Sequence, residues 1–490
     1  MHKERNKMEN KSLLTDFYQI TMMQGYFDAK RHNQKVVFDM FYRENPCGSG
    51  FAIMAGIRQL LEYISNLKFT EDDLAYLRSL ELFSEEFLEY LQGFSFTGSI
   101  DAMPEGTVVF PGEPLVVVKA PIIEAQLIET ALLNIINHQC LIATKAARIC
   151  YAAGGDDVLE FGLRRAQGPD AGIYGARAAV IGGCAATSNV MAGKIFDVPI
   201  RGTHAHSWIM SFGDELAAFR AYAASFPDRC TLLVDTYDTL VYGVPNAITV
   251  FDEMRKSRGS IHNYGIRLDS GDFAYLSKEA RKMLDAAGHE DAKITASCDL
   301  DEVLIQSLKL QGAKIDTWGV GTSLITSKGC PAFGGVYKLS AVCGEGGSFI
   351  PKIKLSENPE KVTNPGEKKV LRIYDSKHNK IKADLIMLKD EVVNEKEKLV
   401  LFDPKAPWKK MILKPGEYYI KELLIPIVTD GKQVYTSPGI MEIREYCMKQ
   451  QSSLWEEYRR LINPHVLPVD LSQKLYDLKQ KMIYELRNGK

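Results

Sequence analysis

YGIRLDSGD at 264–272, followed at once by FAYLSKEARKMLDAAG at 273–288, reads as one strand and one amphipathic helix joined by a polar corner. The unit recurs. Strand-sized apolar runs that end in glycine or polar residues stand at VLEFGLR (158–164), AAVIGG (178–183), TLLVDT (231–236), KITAS (293–297) and TWGVGTS (317–323), and DELAAFRAYAASF (214–226) has helical spacing. Strand then helix, repeated, argues a parallel sheet. There are about as many units as a closed barrel needs, each with polar residues after its strand, so the expectation is a β/α barrel with its site on the carboxyl face. PIRGTHAHS at 199–207 reads as the end of a further strand, with His204 and His206 on that face.

The chain has 490 residues, too long for one ordinary domain, and its 46% hydrophobic content is enough for a large core. A formal charge of -2 gives no global field for nucleic acid or a membrane surface, so any anion site must be local. Nine cysteines without a CxxC pair fit reduced thiols in the cytoplasm better than a disulfide framework or zinc. MHKERNKMENKS at the start is polar and no long apolar run follows, so neither an export signal nor a membrane span is expected.

Outward from the barrel repeats, LLTDFYQITMMQGYF (13–27) reads as a helix capped by Thr15 or Asp16, and KVVFDMFYREN (35–45) as a strand ending in Arg43. A helical pair extends to Gly93, then come TGSIDAM, TVVF and PLVVV as strands with PGEP (111–114) as a turn, and one or two helices over 121–153. After the barrel, KVLRIYD, KIKADLIML and KLVLFDP read as a meander, LIPIVTDGKQVY holds an Asp-Gly turn, and the chain closes in helices. The expected division is 1–153, a barrel over 154–345, and 346–490 packing back on the first part to make a mixed α+β domain from both chain ends.

Arg164 and Arg165 follow one barrel strand; Arg267, Asp269, Ser270, Gly271 and Asp272 follow another; GVGTS (319–323) follows a third. Together they suit a phosphorylated sugar: glycine amides and the Thr322 hydroxyl for phosphate, arginines for charge, carboxylates for ribose hydroxyls or Mg2+. Alone, GVGTS is a tight turn and any single Arg or Asp a solvated charge. Their convergence on one face is the argument for a site. His204 reads as a hydrogen-bonded interior histidine, whereas His206 lies past the strand end and can reach the barrel mouth. No third ligand follows at a spacing that makes the pair a metal site.

TDFYQITM, FYRENP, EFGLRRAQGPDAG, GTHAHSW, GIRLDSGD, GVGTSL and KLSENPEKVTNPG, in this order over most of the chain, resemble the nicotinate phosphoribosyltransferase family. The resemblance implies a type II phosphoribosyltransferase: an irregular β/α barrel beside a mixed domain, working as a homodimer with shared active sites. It implies transfer of phosphoribosyl from phosphoribosyl pyrophosphate to nicotinate, coupled to ATP hydrolysis with Mg2+. On these motifs His206 takes the phosphorylated histidine's place, Thr203 and Arg267 the nicotinate ligands', Tyr18 that of a partner subunit's aromatic, and Phe161 that of the other stacking face. Arg43 and Lys338 match diphosphate ligands, and Gly321 with Thr322 the ribose-phosphate loop. Nicotinamide phosphoribosyltransferase is the alternative: it shares the histidine but benefits from an acid where this chain has Ser188, which with Arg267 favours a carboxylate substrate. A non-catalytic phosphosugar-binding barrel is the alternative of another class; it has no need of His206 or the RLDSGD acids.

Overall fold

The computed structural model describes residues 10–358 and 361–489, which form two compact units. The first to take shape from the sequence argument is Ile142–Pro331 with Gly439–Glu445. Its strands are β1 (Asp157–Glu160), β2 (Ala186–Thr187), β3 (Thr231–Leu233), β4 (Gly265–Leu268), β5 (Lys293–Cys298) and β6 (Thr317–Val320), all parallel in the order β2-β1-β6-β5-β4-β3. Leu232, Ile266, Leu268, Ile294, Ala296, Trp318 and Val320 are fully buried, the pattern of a sheet covered on both faces. Trp318 satisfies its indole N–H on Asp156 Oδ2 at 3.0 Å.

The sheet curls into an irregular ring. Beyond β2, Thr187 N donates to Pro199 O and Arg201 N to Thr187 O, both at 3.0 Å, so 199–201 adds a seventh, bridge-length member. At the other edge, Val234 N turns inward to Arg267 O at 3.1 Å, while Leu233 N turns outward and donates to His204 Nε2 at 3.3 Å. Among the described residues no strand ladder joins β3 to the 199–204 segment; a side chain supplies the acceptor that a neighbouring strand would have offered.

Two expectations for this unit change. AAVIGG is not a strand but the end of the helix Pro169–Gly182, and the strand is the two-residue β2 after it. That helix is buried on nearly every face, and Gly182 lies so close to Ala143 that a Cβ would stand 2.2 Å from its carbonyl oxygen; with no polar face it shows no helical periodicity. PIRGTHAHS is not a full strand either: it bridges at Ile200 alone, and His206 opens the short helix His206–Met210.

The rest of the described chain forms the second unit. Its seven-stranded sheet runs Phe349–Pro351, Gly335–Cys343, Lys35–Tyr42, Val116–Pro121, Ser99–Ala102, Ile425–Thr429, Lys432–Gln433, so strands from both chain ends share one sheet. Asp430 and Gly431 both have positive φ (45° and 74°), as an Asp-Gly hairpin turn requires. Three helices, Ile57–Ser65, Glu71–Ser79 and Glu85–Gln92, replace the expected pair. The meander is also corrected: Lys368–Asp375 and Ile381–Leu388 pair, but Leu399–Asp403 pairs with Ala406–Leu413 in a separate hairpin. The units divide after Leu141 and Pro331 rather than at 153 and 345, because Gly335–Cys343 is laddered to Lys35–Tyr42.

Candidate active site

The carboxyl ends of the parallel strands carry a continuous network. Arg267, in β4, donates from Nε to Ser297 Oγ (2.7 Å), from Nη1 to Thr203 Oγ1 (2.8 Å) and His204 O (3.1 Å), and from Nη2 to Asp269 Oδ1 (2.8 Å). Four acceptors on three connections fix the guanidinium plane. Asp269 also accepts from Ser297 Oγ, and its backbone N donates to Asp235 Oδ2 at 2.7 Å, where Ser270 Oγ donates as well. Burial alone would raise the Asp269 carboxyl; the Ser297 hydrogen bond, Arg267 and His206 outweigh it and hold it below its ordinary value.

His206 stands at the rim of this network. Its Nδ1 lies 3.1 Å from Thr236 Oγ1, and its Nε2 faces Asp269 Oδ2 at 3.7 Å. His204 is the interior histidine the sequence suggested, and burial pushes its imidazole down to about 4.

Phe161 follows β1, with its N donating to Val320 O at 2.8 Å and its ring packed against Gly319, where a Cβ would come within 2.7 Å of the ring. A glycine at 319 is what lets that ring sit over the strand ends. Below it, the fully buried Glu160 accepts from Gly162 N and, at 2.5 Å, from Thr187 Oγ1; burial raises its carboxyl. Ser188 is half-buried beyond β2, its N donating to Glu160 O at 3.0 Å. Gly321 caps the four-residue helix Thr322–Ile325 after β6.

Three predicted residues are not part of the network. Arg164 and Arg165 lie exposed in the 3-10 turn Leu163–Arg165. Asp272 caps the helix Phe273–Ala286, accepting from Tyr275 N at 3.0 Å, so its first job is structural. Asp235, Thr236 and Ser297 are members that sequence reasoning missed, although the first two sit in the polar tip of TLLVDT, the place where a barrel strand offers its functional groups.

Tyr18, Arg43 and Lys338 belong to the other unit. Tyr18 is in the first turn of the helix Phe17–Asp28 and is half exposed (49%). Arg43 follows the strand Lys35–Tyr42, and its Nε is buried without a hydrogen-bond partner. Lys338 stands opposite Asp39 in the register, but Asp39 is taken by Lys368 at 2.7 Å. Burial lowers the Lys338 ammonium, and Lys354 and Arg43 lower it further against the opposing pull of Glu129. Lys338 thus feels two cations and one acid, and the buried Arg43 Nε is left without a partner, a combination that suits an anion. Lys354 is its member that the sequence did not single out.

A ring of parallel strands with an arginine, a histidine and carboxylates at its carboxyl ends, in a chain whose other unit is a mixed one built from both chain ends, is the architecture of a type II phosphoribosyltransferase. Residues 13–137 match the nicotinate phosphoribosyltransferase (NAPRTase) N-terminal domain and residues 367–479 the nicotinate phosphoribosyltransferase C-terminal domain. A nicotinate phosphoribosyltransferase of Bacillus subtilis is 50% identical over 98% of this chain and 97% of its own. That of Caenorhabditis elegans is 38% identical over 95% of this chain and 92% of its own. The crystal structure of human nicotinic acid phosphoribosyltransferase superposes with a TM-score of 0.82 at 30% identity, covering 96% of this chain and 100% of that one. The chain belongs to the nicotinate phosphoribosyltransferase family.

Proposed function

We propose that this chain transfers phosphoribosyl from phosphoribosyl pyrophosphate to nicotinate, giving nicotinate mononucleotide and pyrophosphate, and couples the transfer to ATP hydrolysis through a phosphohistidine at His206. The observation that carries the reading is Arg267, clamped by four acceptors beside Thr203: a fixed, planar cation at the strand ends suits the carboxylate of a pyridine acid, and Phe161, packed on Gly319 at the end of the adjoining strands, offers an aromatic surface at the same strand ends. Ser188 at the same strand ends offers no negative charge to repel that carboxylate, which disfavours the nicotinamide alternative.

Loss of pyrophosphate leaves a ribose of oxocarbenium character, so catalysis consists in holding the pyridine nitrogen against the anomeric carbon while cations stabilise the leaving group. The cluster of Arg43, Lys338 and Lys354 suits that diphosphate, and Gly321 and Thr322 suit the ribose phosphate. Asp235 fits Mg2+, because its Oδ1 is buried without a hydrogen-bond partner. When bound there, the ion supplies charge neutralisation for the phosphates.

For the coupling step, the ionised Asp269 favours a proton on the facing Nε2 of His206, which leaves the Nδ1 lone pair as nucleophile for the γ-phosphorus of ATP. The P–O bond to ADP breaks as the N–P bond forms, and water later takes the phosphoryl group. Tyr18 and Arg43 complete the ring mouth of a second copy, which makes the working form a homodimer. The place of work is the cytoplasm, consistent with nine cysteines of which none is in a disulfide. Among the described residues no helix is long and apolar enough to cross a membrane.

Incubation with γ-labelled ATP tests this. Acid-labile, alkali-stable label on the wild type and none on His206→Ala is the expected result, with ATP stimulation lost in the variant and a weak transfer surviving at high substrate. Equal labelling of the two puts the phosphoryl group elsewhere than on His206, and none on either contradicts a phosphoenzyme and favours a barrel that only binds phosphosugars.

A further inference from the structure

The ring has one seam that backbone hydrogen bonding does not close, and His204 occupies it. Leu233 N–H points away from β4 at this edge, where an unpaired donor buried from water costs about 1–3 kcal/mol. The His204 ring provides the acceptor through Nε2 at 3.3 Å, so its proton resides on Nδ1, which is buried without a hydrogen-bond partner; the seam thus trades an orphan on the backbone for one on the ring. The ring cannot turn away easily. It is 9% exposed and packs edge-on against Tyr222 with centroids 4.6 Å apart, with Phe219 at 6.3 Å, both from the helix Glu215–Ser225.

The same residue reaches the site through its other polar group. His204 O accepts from Arg267 Nη1 at 3.1 Å, next to the 2.8 Å bond from that nitrogen to Thr203 Oγ1. Arg267 is in turn the register partner of Leu233 in the β3–β4 ladder. Leu233 to the His204 ring, His204 carbonyl to Arg267, and Arg267 back to Leu233 across the ladder make a closed circuit of three residues. Releasing the ring from Leu233 frees the 202–205 segment to shift, and with it two of the four acceptors that orient the guanidinium.

We propose that His204 is a positioning residue for nicotinate recognition, its ring closing the seam and its carbonyl thereby fixing the Arg267 guanidinium; this rests on the reading of Arg267 as the carboxylate anchor. Interior packing alone would ask only for an apolar side chain of this size. A hydrogen-bond acceptor is needed as well, and the variants separate the two requirements.

His204→Leu fills the space without an acceptor, and His204→Gln keeps one. Steady-state assays with each substrate varied should give His204→Leu a nicotinate KM about tenfold higher, the loss of one hydrogen bond's worth of order, with kcat and the KM for phosphoribosyl pyrophosphate within about twofold of wild type. His204→Gln should recover most of the loss. A rise in both KM values alike, a fall in kcat alone, or a Gln variant no better than Leu would overturn the proposal. Arg267→Lys in the same assay separates the two levels of inference: an unchanged nicotinate KM there sinks the anchor itself, whereas a raised one with a silent His204→Leu sinks only the role of His204. Should His204→Leu fail to fold, the wild type still decides. In histidine-15N spectra, the resonance missing from His204→Gln should belong to a neutral ring with unprotonated Nε2; a protonated Nε2 contradicts the seam.

Discussion

The two units hold their polar groups in opposite ways. At the ring mouth the arginine and one aspartate are already answered: Arg267 meets four acceptors and Asp269 is held ionised by its neighbours, while Asp235 takes two donors on one oxygen and keeps the other buried without a partner. In the mixed unit the cations are only partly answered, with a buried Arg43 Nε lacking a partner and Lys338 held down by burial and by Lys354 and Arg43 against the pull of Glu129. A satisfied network presents a rigid shape and suits orienting a planar ring. An unsatisfied one stores repulsion that only an anion relieves, and suits a diphosphate.

The contrast is broken most severely at Arg267. Arg267→Ala removes the shared donor of the ring network and leaves Asp269 without its main cation, so kcat/KM for nicotinate should fall about 100- to 1000-fold. The Asp269 carboxyl should then titrate higher, visible as a displaced acid limb in the pH profile of kcat/KM. A loss below about tenfold would mean that Arg267 does not hold the substrate.

On the other side, Lys338→Met should raise the KM for phosphoribosyl pyrophosphate about tenfold while making the protein more stable by about 0.5–1 kcal/mol, since it removes a repelled charge. Thermal unfolding without ligand reads the second half of that statement. A destabilised Lys338→Met variant would show that the three cations are not in conflict.

Mixing tests whether the two sets serve one site from different chains. Tyr18→Ala and His206→Ala damage opposite halves, so random subunit exchange should restore roughly a quarter of wild-type activity, half of the dimers being mixed and half of their sites intact. Absence of recovery, with exchange confirmed by tagged subunits, would assign both halves to one chain.

The smallest effect concerns the seam. Burial depresses His204 to about 4 in the folded protein, against about 6.5 unfolded. Its contribution is therefore complete above pH 6.5 and is lost as pH falls toward 4, where the unfolded chain binds the extra proton. The loss should be on the order of 2 kcal/mol after screening, and His204→Gln should flatten that part of the stability curve. Parallel curves for the two proteins would refute it.

Much of the ring was legible because β-branched runs ending in polar residues mark strand and site together: TLLVDT, GIRLDSGD, KITAS and TWGVGTS each hold a strand where expected. AAVIGG was misread because a helix buried all round has no periodicity to betray it. An aspartate after a strand is ambiguous in sequence. Asp272 turned out to cap a helix while Asp235, given no role, holds Asp269 and Ser270; only the fold separates cap from ligand. The work of His204 was hidden for another reason: nothing in a sequence says where a ladder stops, so a histidine that replaces one looks like any interior histidine.

If a carboxylate is what Arg267 awaits, substrate choice shows it most directly. Purified protein given phosphoribosyl pyrophosphate with nicotinate or nicotinamide, with and without ATP, should turn over nicotinate with a kcat/KM at least about 100-fold above that for nicotinamide, and faster with ATP. Equal or preferential use of nicotinamide would contradict the carboxylate anchor, and product from neither would contradict the proposed transfer.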